Sequence, residues 1–133
     1  MIKVNTKKDK VKILEVLTMG VVGKVGNENM QSCIDLCVKC TQACEECLTL
    51  CLEEEDVAAR IKCIKTLQDC MDICCLATKF MIRTSEHAKN VCKECAEICE
   101  ACAKECEMFK DEHCKKCAEI CRQCAEECKK MGM

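Results

Sequence analysis

Apolar positions recur along this chain at alternating steps of three and four residues, and at most of them the residue is cysteine. Cys33, Cys37, Cys40, Cys44, Cys47 and Cys51 form one unbroken series. Cys92, Cys95, Cys99, Cys102 and Cys106 form a second, and Cys114, Cys117, Cys121, Cys124 and Cys128 a third. That rhythm keeps side chains on one face of an α-helix, the seam that bundles ordinarily fill with leucine and isoleucine. Each series therefore predicts a helix whose buried stripe is sulfur.

The pattern places four helices. The first runs from about Asn29 to Glu53. An acidic link, Glu53–Asp56, leads to the second, with Asp56 as its N-cap and an end near Arg83. Thr84 or Ser85 caps the third, which runs to about Met108. Asp111 caps the fourth, which continues to about Lys130 with Gly132 just beyond. Links this short force successive helices antiparallel, so the expected fold is an all-α, up-down-up-down four-helix bundle. Its length is on the order of 30 Å. The third and fourth helices also repeat one unit, CAEICEACAKEC at 95–106 and CAEICRQCAEEC at 117–128.

The second helix departs from the others. Cys63, Cys70 and Cys74 keep the inward phase, while Leu67, Ala77 and Met81 fill the remaining inward slots. Cys75 falls well round the helix and reads as a flanking or subunit-facing thiol. Residues 1–27 differ again: they hold no cysteine, carry the basic run Lys7, Lys8, Lys10, Lys12, and end in GVVGKVGN. Ile13, Leu14, Leu17 and Val21 would form one side of a short amphipathic helix. The chain thus divides into an N-terminal extension, 1–27, and a Cys-rich bundle, 28–133.

Composition narrows the fold and the function. A chain of 133 residues is one domain by default. It has no Pro, two Phe, no Trp and no Tyr, which disfavours a sandwich or barrel. The formal net charge is -2, and no basic patch is interleaved with aromatics, so nucleic acid is not an expected partner. No apolar run approaches the ~20 residues of a membrane span. Twenty cysteines suggest a secreted disulfide scaffold at first sight. Such scaffolds scatter cysteine over loops, however, and here they share helix faces. Lys12 and Glu15 also interrupt the only stretch resembling a secretory signal. A reducing, cytoplasmic setting is the expectation.

Stacked thiols admit several chemistries. Zinc takes four convergent ligands, and four thiolates leave two excess negative charges on each site. Filling the core that way buries charge without counter-ions, at several kcal/mol per ion. Cu(I) meets no such penalty, because each ion that replaces one thiol proton leaves the core neutral, and thiolate is the soft ligand it prefers. Iron–sulfur clusters need cysteines from loops that wrap the cluster. A nucleophilic cysteine needs a base or an electropositive pocket, but His87 and His113 lie far apart in sequence and no thiol stands out. The chain reads as capacity, not an enzyme. A general thiolate buffer for Zn or Cd and a disulfide-stapled structural bundle remain as alternatives.

The segments QSCIDLCVKCTQACEECLTLCLEE, KCIKTLQDCMDIC, VCKECAEICEACAKEC and HCKKCAEICRQCAEEC resemble the bacterial copper-storage proteins, specifically the cytosolic members. The resemblance spans about Met30 to Met131. It implies a four-helix bundle that binds many Cu(I) ions through CxxxC and CxxC thiolate pairs, stores copper and protects against its toxicity. It also implies a fold formed before metal arrives, homo-oligomers (tetramers in the cytosolic branch), and copper delivered by a chaperone or small thiols. Carried onto this sequence, the ligands are the sixteen cysteines of the three series above, with Cys63, Cys70 and Cys74. Met108 and His113, in the link between the third and fourth helices, match the bundle end through which copper is thought to pass. The chain departs from the family in its fewer histidines there, in Cys75 and in its N-terminal extension.

Overall fold

In the computed structural model the cysteine stripes become four helices in the expected order. Residues 20–22 and 28–133 are described; most of the N-terminal extension, including the amphipathic stretch at Ile13–Leu17, lies outside them. Helix α1 spans Glu28–Leu52, α2 Ile61–Ile82, α3 Ala88–Glu107 and α4 Glu112–Met131, with a single 3₁₀ turn at Val57–Arg60 before α2. Each helix packs on its neighbours in sequence, and α4 returns to α1 to close the ring. This is the antiparallel bundle that short links require.

The helix ends show where local chemistry departs from the sequence reading. Asp56 does not cap α2; it precedes the 3₁₀ turn, and its carboxylate accepts a 2.7 Å hydrogen bond from Arg60 Nε instead. The α3 cap falls at His87, not at Thr84 or Ser85. Ser85 still serves that end, its hydroxyl accepting from the His87 backbone N–H at 3.1 Å. Thr84 is used to stop α2. Its N–H bonds to Met81 O, the next N–H bonds to Phe80 O, and Thr84 itself takes a left-handed φ of 51°. That is the six-to-one, five-to-two closure that glycine usually makes. Asp111 is the α4 N-cap residue, as expected, with extended backbone but no side-chain capping bond. Gly132 follows α4 in a right-handed conformation. What its missing side chain provides is room, since a Cβ there would meet the Lys93 backbone at 3.1 Å.

The core is sulfur with few interruptions. Nineteen of the twenty cysteines are buried and Cys75 is exposed. Leu67, Ala77 and Met81 complete the α2 contribution, all fully buried. Ala96, Ala103, Ala118 and Ala125 are buried beside the stripes of α3 and α4. Their small side chains suit the most extensive helix pairing in the bundle. Thiols behave here as small hydrophobes, so the metal-free chain has a core to fold around. Off the thiol stripe of α1, Ile34 is buried, whereas Leu50 is exposed. Val21, expected on the apolar side of a short helix, lies in a bend and is fully exposed.

Candidate metal centre

Because successive stripe residues lie one turn apart, sulfurs from four helices meet layer by layer along the bundle axis. At the end formed by the start of α1 and the end of α4, Cys128 Sγ lies 3.6 Å from Cys33, 3.6 Å from Cys37 and 3.5 Å from Cys95. The next layer joins Cys37 to Cys124 at 3.8 Å and Cys74 to Cys95 and Cys99 at 3.7 and 3.8 Å. At the centre, Cys40 contacts Cys70 and Cys121 at 3.7 Å each, and Cys44 contacts Cys121 at 3.8 Å and Cys117 at 3.9 Å. Further on, Cys63 meets Cys106 at 3.9 Å. Cys92 and Cys102 are buried in the same array. All nineteen inward cysteines expected from the sequence are thus brought together.

Several groups converge closely enough for their sulfurs to share one ion. Cys37, Cys74, Cys95 and Cys124 form one such set, and Cys40, Cys44, Cys70 and Cys121 another, with ligand atoms within 4.8 Å of one another. The sets overlap: Cys40 also groups with Cys74, Cys99 and Cys124. This is a continuous column of overlapping sulfur groups, the arrangement expected for many soft cations rather than one.

The column holds its protons collectively. Cys121, hydrogen-bonded to Cys102 and Cys117, has its pKa pushed up, while Cys117, stabilised as thiolate by Cys102 and Cys106, has its pKa pulled down. At the end near the start of α4, burial, with the neighbouring Cys51, raises the Cys114 thiol to about 12. Replacing such protons with metal relieves the same desolvation that holds them in place.

The two ends of the column differ. Where α1 began, buried Met81 and partly buried Met30, Val91 and Met131 pack against the sulfurs. At the other end His113 turns inward, with Nδ1 3.6 Å from both Cys47 and Cys114 Sγ and Nε2 3.1 Å from a Glu54 carboxylate oxygen. Met108, expected beside it, is instead exposed and contributes nothing to the array. His87 is exposed on the surface.

Sequence reasoning missed Arg60. Among the described residues it is the only buried charged one. Its guanidinium is paired with Asp56 and Asp111, lies 4.4 Å from the Phe109 ring centroid, and donates from Nη1 to Cys51 and Cys114 Sγ at 3.6 Å each. Burial opposes its charge, but the hydrogen bonds to Asp111 and Asp56 prevail and raise its pKa. Arg60 in turn holds the Asp111 carboxyl below its usual range. The signal was present: counting back three from Cys63 on the α2 stripe lands on Arg60.

A bundle whose interior is a column of buried thiols, closed at one end by a histidine and a paired arginine, defines a thiolate metal-binding helical protein. The family model for copper storage proteins matches residues 26–133, and the chain belongs to that family. It is similar to the Cu(I)-bound copper storage protein BsCsp3 of Bacillus subtilis, with 42% identity, a TM-score of 0.76, and coverage of 79% of this chain and 99% of that one. It is also similar to the Streptomyces lividans copper storage protein Ccsp loaded with 10 copper equivalents, with 37% identity, a TM-score of 0.77, and coverage of 85% and 90%. An uncharacterized cysteine-rich protein of Bacillus subtilis, YhjQ, is 44% identical over 67 residues, half of this chain. The match spans 62% of that relative's length.

Proposed function

We propose that this chain binds and stores many Cu(I) ions along its thiol column, holding copper in a non-toxic form. The observation that carries the reading is the continuous set of nineteen buried cysteines, with sulfurs 3.5–4.0 Å apart from one end to the other. The ligands are the cysteines of the three series, with Cys63, Cys70 and Cys74, and His113 at one end. Soft monovalent ions suit this core because each replaces a proton and adds no net charge. The role is storage, not catalysis, since the thiols are near-equivalent and enclosed.

Three further points belong to the same reading. The protein works in the cytoplasm, where thiols stay reduced. Copper reaches it from a chaperone or small thiols. It assembles as a homotetramer; exposed Val38 and Leu76, on the α1 and α2 surfaces near Cys75, provide apolar area for subunit contact. No helix of the described residues is long and apolar enough to cross a membrane.

Anaerobic titration of the reduced metal-free chain with Cu(I), followed by circular dichroism, tests the proposal. Uptake should approach one Cu(I) per buried cysteine with little change in helicity. Saturation after a handful of ions would reject it. Zn²⁺ competition separates it from a general divalent buffer, and a free-thiol count without reductant separates it from a disulfide-stapled bundle. Native mass spectrometry tests the tetramer.

A further inference from the structure

We infer that the outer groove between α1 and α2 is an isologous interface. A second copy of this chain docks across it about a two-fold axis at Thr41 and Cys75, pairing Glu45 of each copy with Lys79 of the partner subunit. The inference rests on the homotetramer proposed for this chain and assigns one of its contact faces. The groove has a volume of about 470 Å³ and is walled by Val38, Thr41, Cys75 and Thr78. Thr41 and Thr78 look polar in sequence, but each hydroxyl donates to the carbonyl four residues earlier, Cys37 O at 2.8 Å and Cys74 O at 2.9 Å. Bonded back onto their own helices, they offer the groove mainly carbon. Leu48, seven residues beyond Thr41, and Met71, four before Cys75, extend the same seam as partly buried apolar side chains. The outer groove of α3 and α4 is different. Lys93, Glu97, Glu100 and Lys129 line it, and Glu107 is already paired with Arg122 at 3.0 Å.

What selects a second copy as the occupant is the placement of charge. Thr41 Oγ1 lies 3.9 Å from Cys75 Sγ, so these two residues stand at one height on either side of the groove. Glu45 is four residues beyond Thr41, and Lys79 is four beyond Cys75. Because α1 and α2 run antiparallel, the two charges lie about one turn away in opposite directions, roughly 6 Å each at 1.5 Å per residue. Both side chains are exposed, and neither takes part in an ion pair among the described residues. They stand too far apart in height to pair with each other. A two-fold axis normal to this face, passing between Thr41 and Cys75, exchanges the two helices and inverts height. It therefore carries Lys79 of the partner subunit onto Glu45, and Glu45 of the partner subunit onto Lys79. A uniformly acidic or basic partner would satisfy one of these charges and oppose the other. The same surface turned through half a rotation satisfies both. The apolar seam supplies the buried area at the axis, and the two ion pairs set the register.

The test uses the full, reduced, metal-free chain and reads assembly by sedimentation velocity and native mass spectrometry. Glu45→Lys and Lys79→Glu each set like charges against one another twice. Each should weaken association at least ~10-fold, taking the tetramer to dimers. Mixing the two variants in equal amounts, one of them isotopically labelled, should restore assembly in complexes that hold one copy of each across this face. The chain carrying both substitutions should assemble like the parent. Both positions are exposed, so helicity and Cu(I) capacity should match the parent in every variant. Single variants that assemble as the parent does, or a mixture that stays dissociated, overturn the inference. An oligomeric parent indifferent to charge reversal keeps the homotetramer and loses this face. A monomeric parent removes both and leaves the groove to a different partner. Cu(I) capacity, measured on the same samples, reports on storage independently.

Discussion

Arg60 Nη1 stands 3.6 Å from Cys51 Sγ, a permanent charge against a thiol nine positions earlier in the chain. The contact is sheltered by the Phe109 ring on one side and by Asp111 on the other. A guanidinium tolerates this setting because its partners satisfy several of its five donors at once. It closes one end of the sulfur column with a group that metal cannot displace by deprotonation.

Replacing Arg60 with methionine keeps much of the volume and removes the charge. The expected loss of stability for the metal-free chain is about 1–3 kcal/mol, the scale of charged hydrogen bonds, read from urea unfolding. Cu(I) capacity should be unchanged, while transfer of bound Cu(I) to a strong chelator should become faster. An unchanged transfer rate would show that Arg60 does not guard that end.

The Cys114 thiol, raised by burial to about 12, gives a sign to the pH dependence. An unfolded thiol ionises near 8.5, so above that value the unfolded chain releases a proton that the folded one retains. The contribution of Cys114 to the stability of the metal-free protein should hold between neutrality and about pH 8 and then fall as pH rises toward 12. Anaerobic urea midpoints across that range check it. The copper-loaded protein, with its sulfurs already deprotonated, should show a flatter profile.

Cys75 is the one exposed thiol among twenty. Brief treatment of the native, metal-free chain with iodoacetamide should leave the other nineteen intact and confine any labelling to this position, as read by peptide mass spectrometry. Cys75→Ala should not reduce Cu(I) uptake. Rapid labelling at Cys40 or Cys121 would contradict the enclosed column.

Leu67 occupies a stripe position where α2 could have carried a thiol, and it is fully buried. Leu67→Ala should cost the metal-free chain about 2–5 kcal/mol through lost packing and a residual cavity. The number of Cu(I) ions bound should not change, since no ligand is removed. Paired unfolding and titration measurements separate the two effects.

Thr84 holds a φ of 51°, a conformation unfavourable for a branched side chain, in order to end α2. Glycine there should relieve on the order of 1 kcal/mol of strain, partly offset by greater freedom in the unfolded chain. Thermal unfolding should show Thr84→Gly to be at least as stable as the parent chain.

Much of this molecule is legible in its sequence because a helix has one period and cysteine marks it. Steps of three and four assigned the inward residues on all four helices, and short links between them left the antiparallel arrangement as the economical solution. Even the α2 substitutions Leu67, Ala77 and Met81 were placed inward by phase alone. Capping was less legible, because Asp56 and Thr84 have side-chain or backbone roles that several local conformations can satisfy. What tertiary structure alone decided was which sulfurs meet and what stands at the two ends. His113 and Glu54 are 59 positions apart, and Arg60 and Cys114 are 54 apart. Periodicity along one helix carries no information about which residue of another helix lies opposite. Those pairings depend on the relative heights at which the helices pack, and so the charged, histidine-bearing end of the column became visible only in three dimensions.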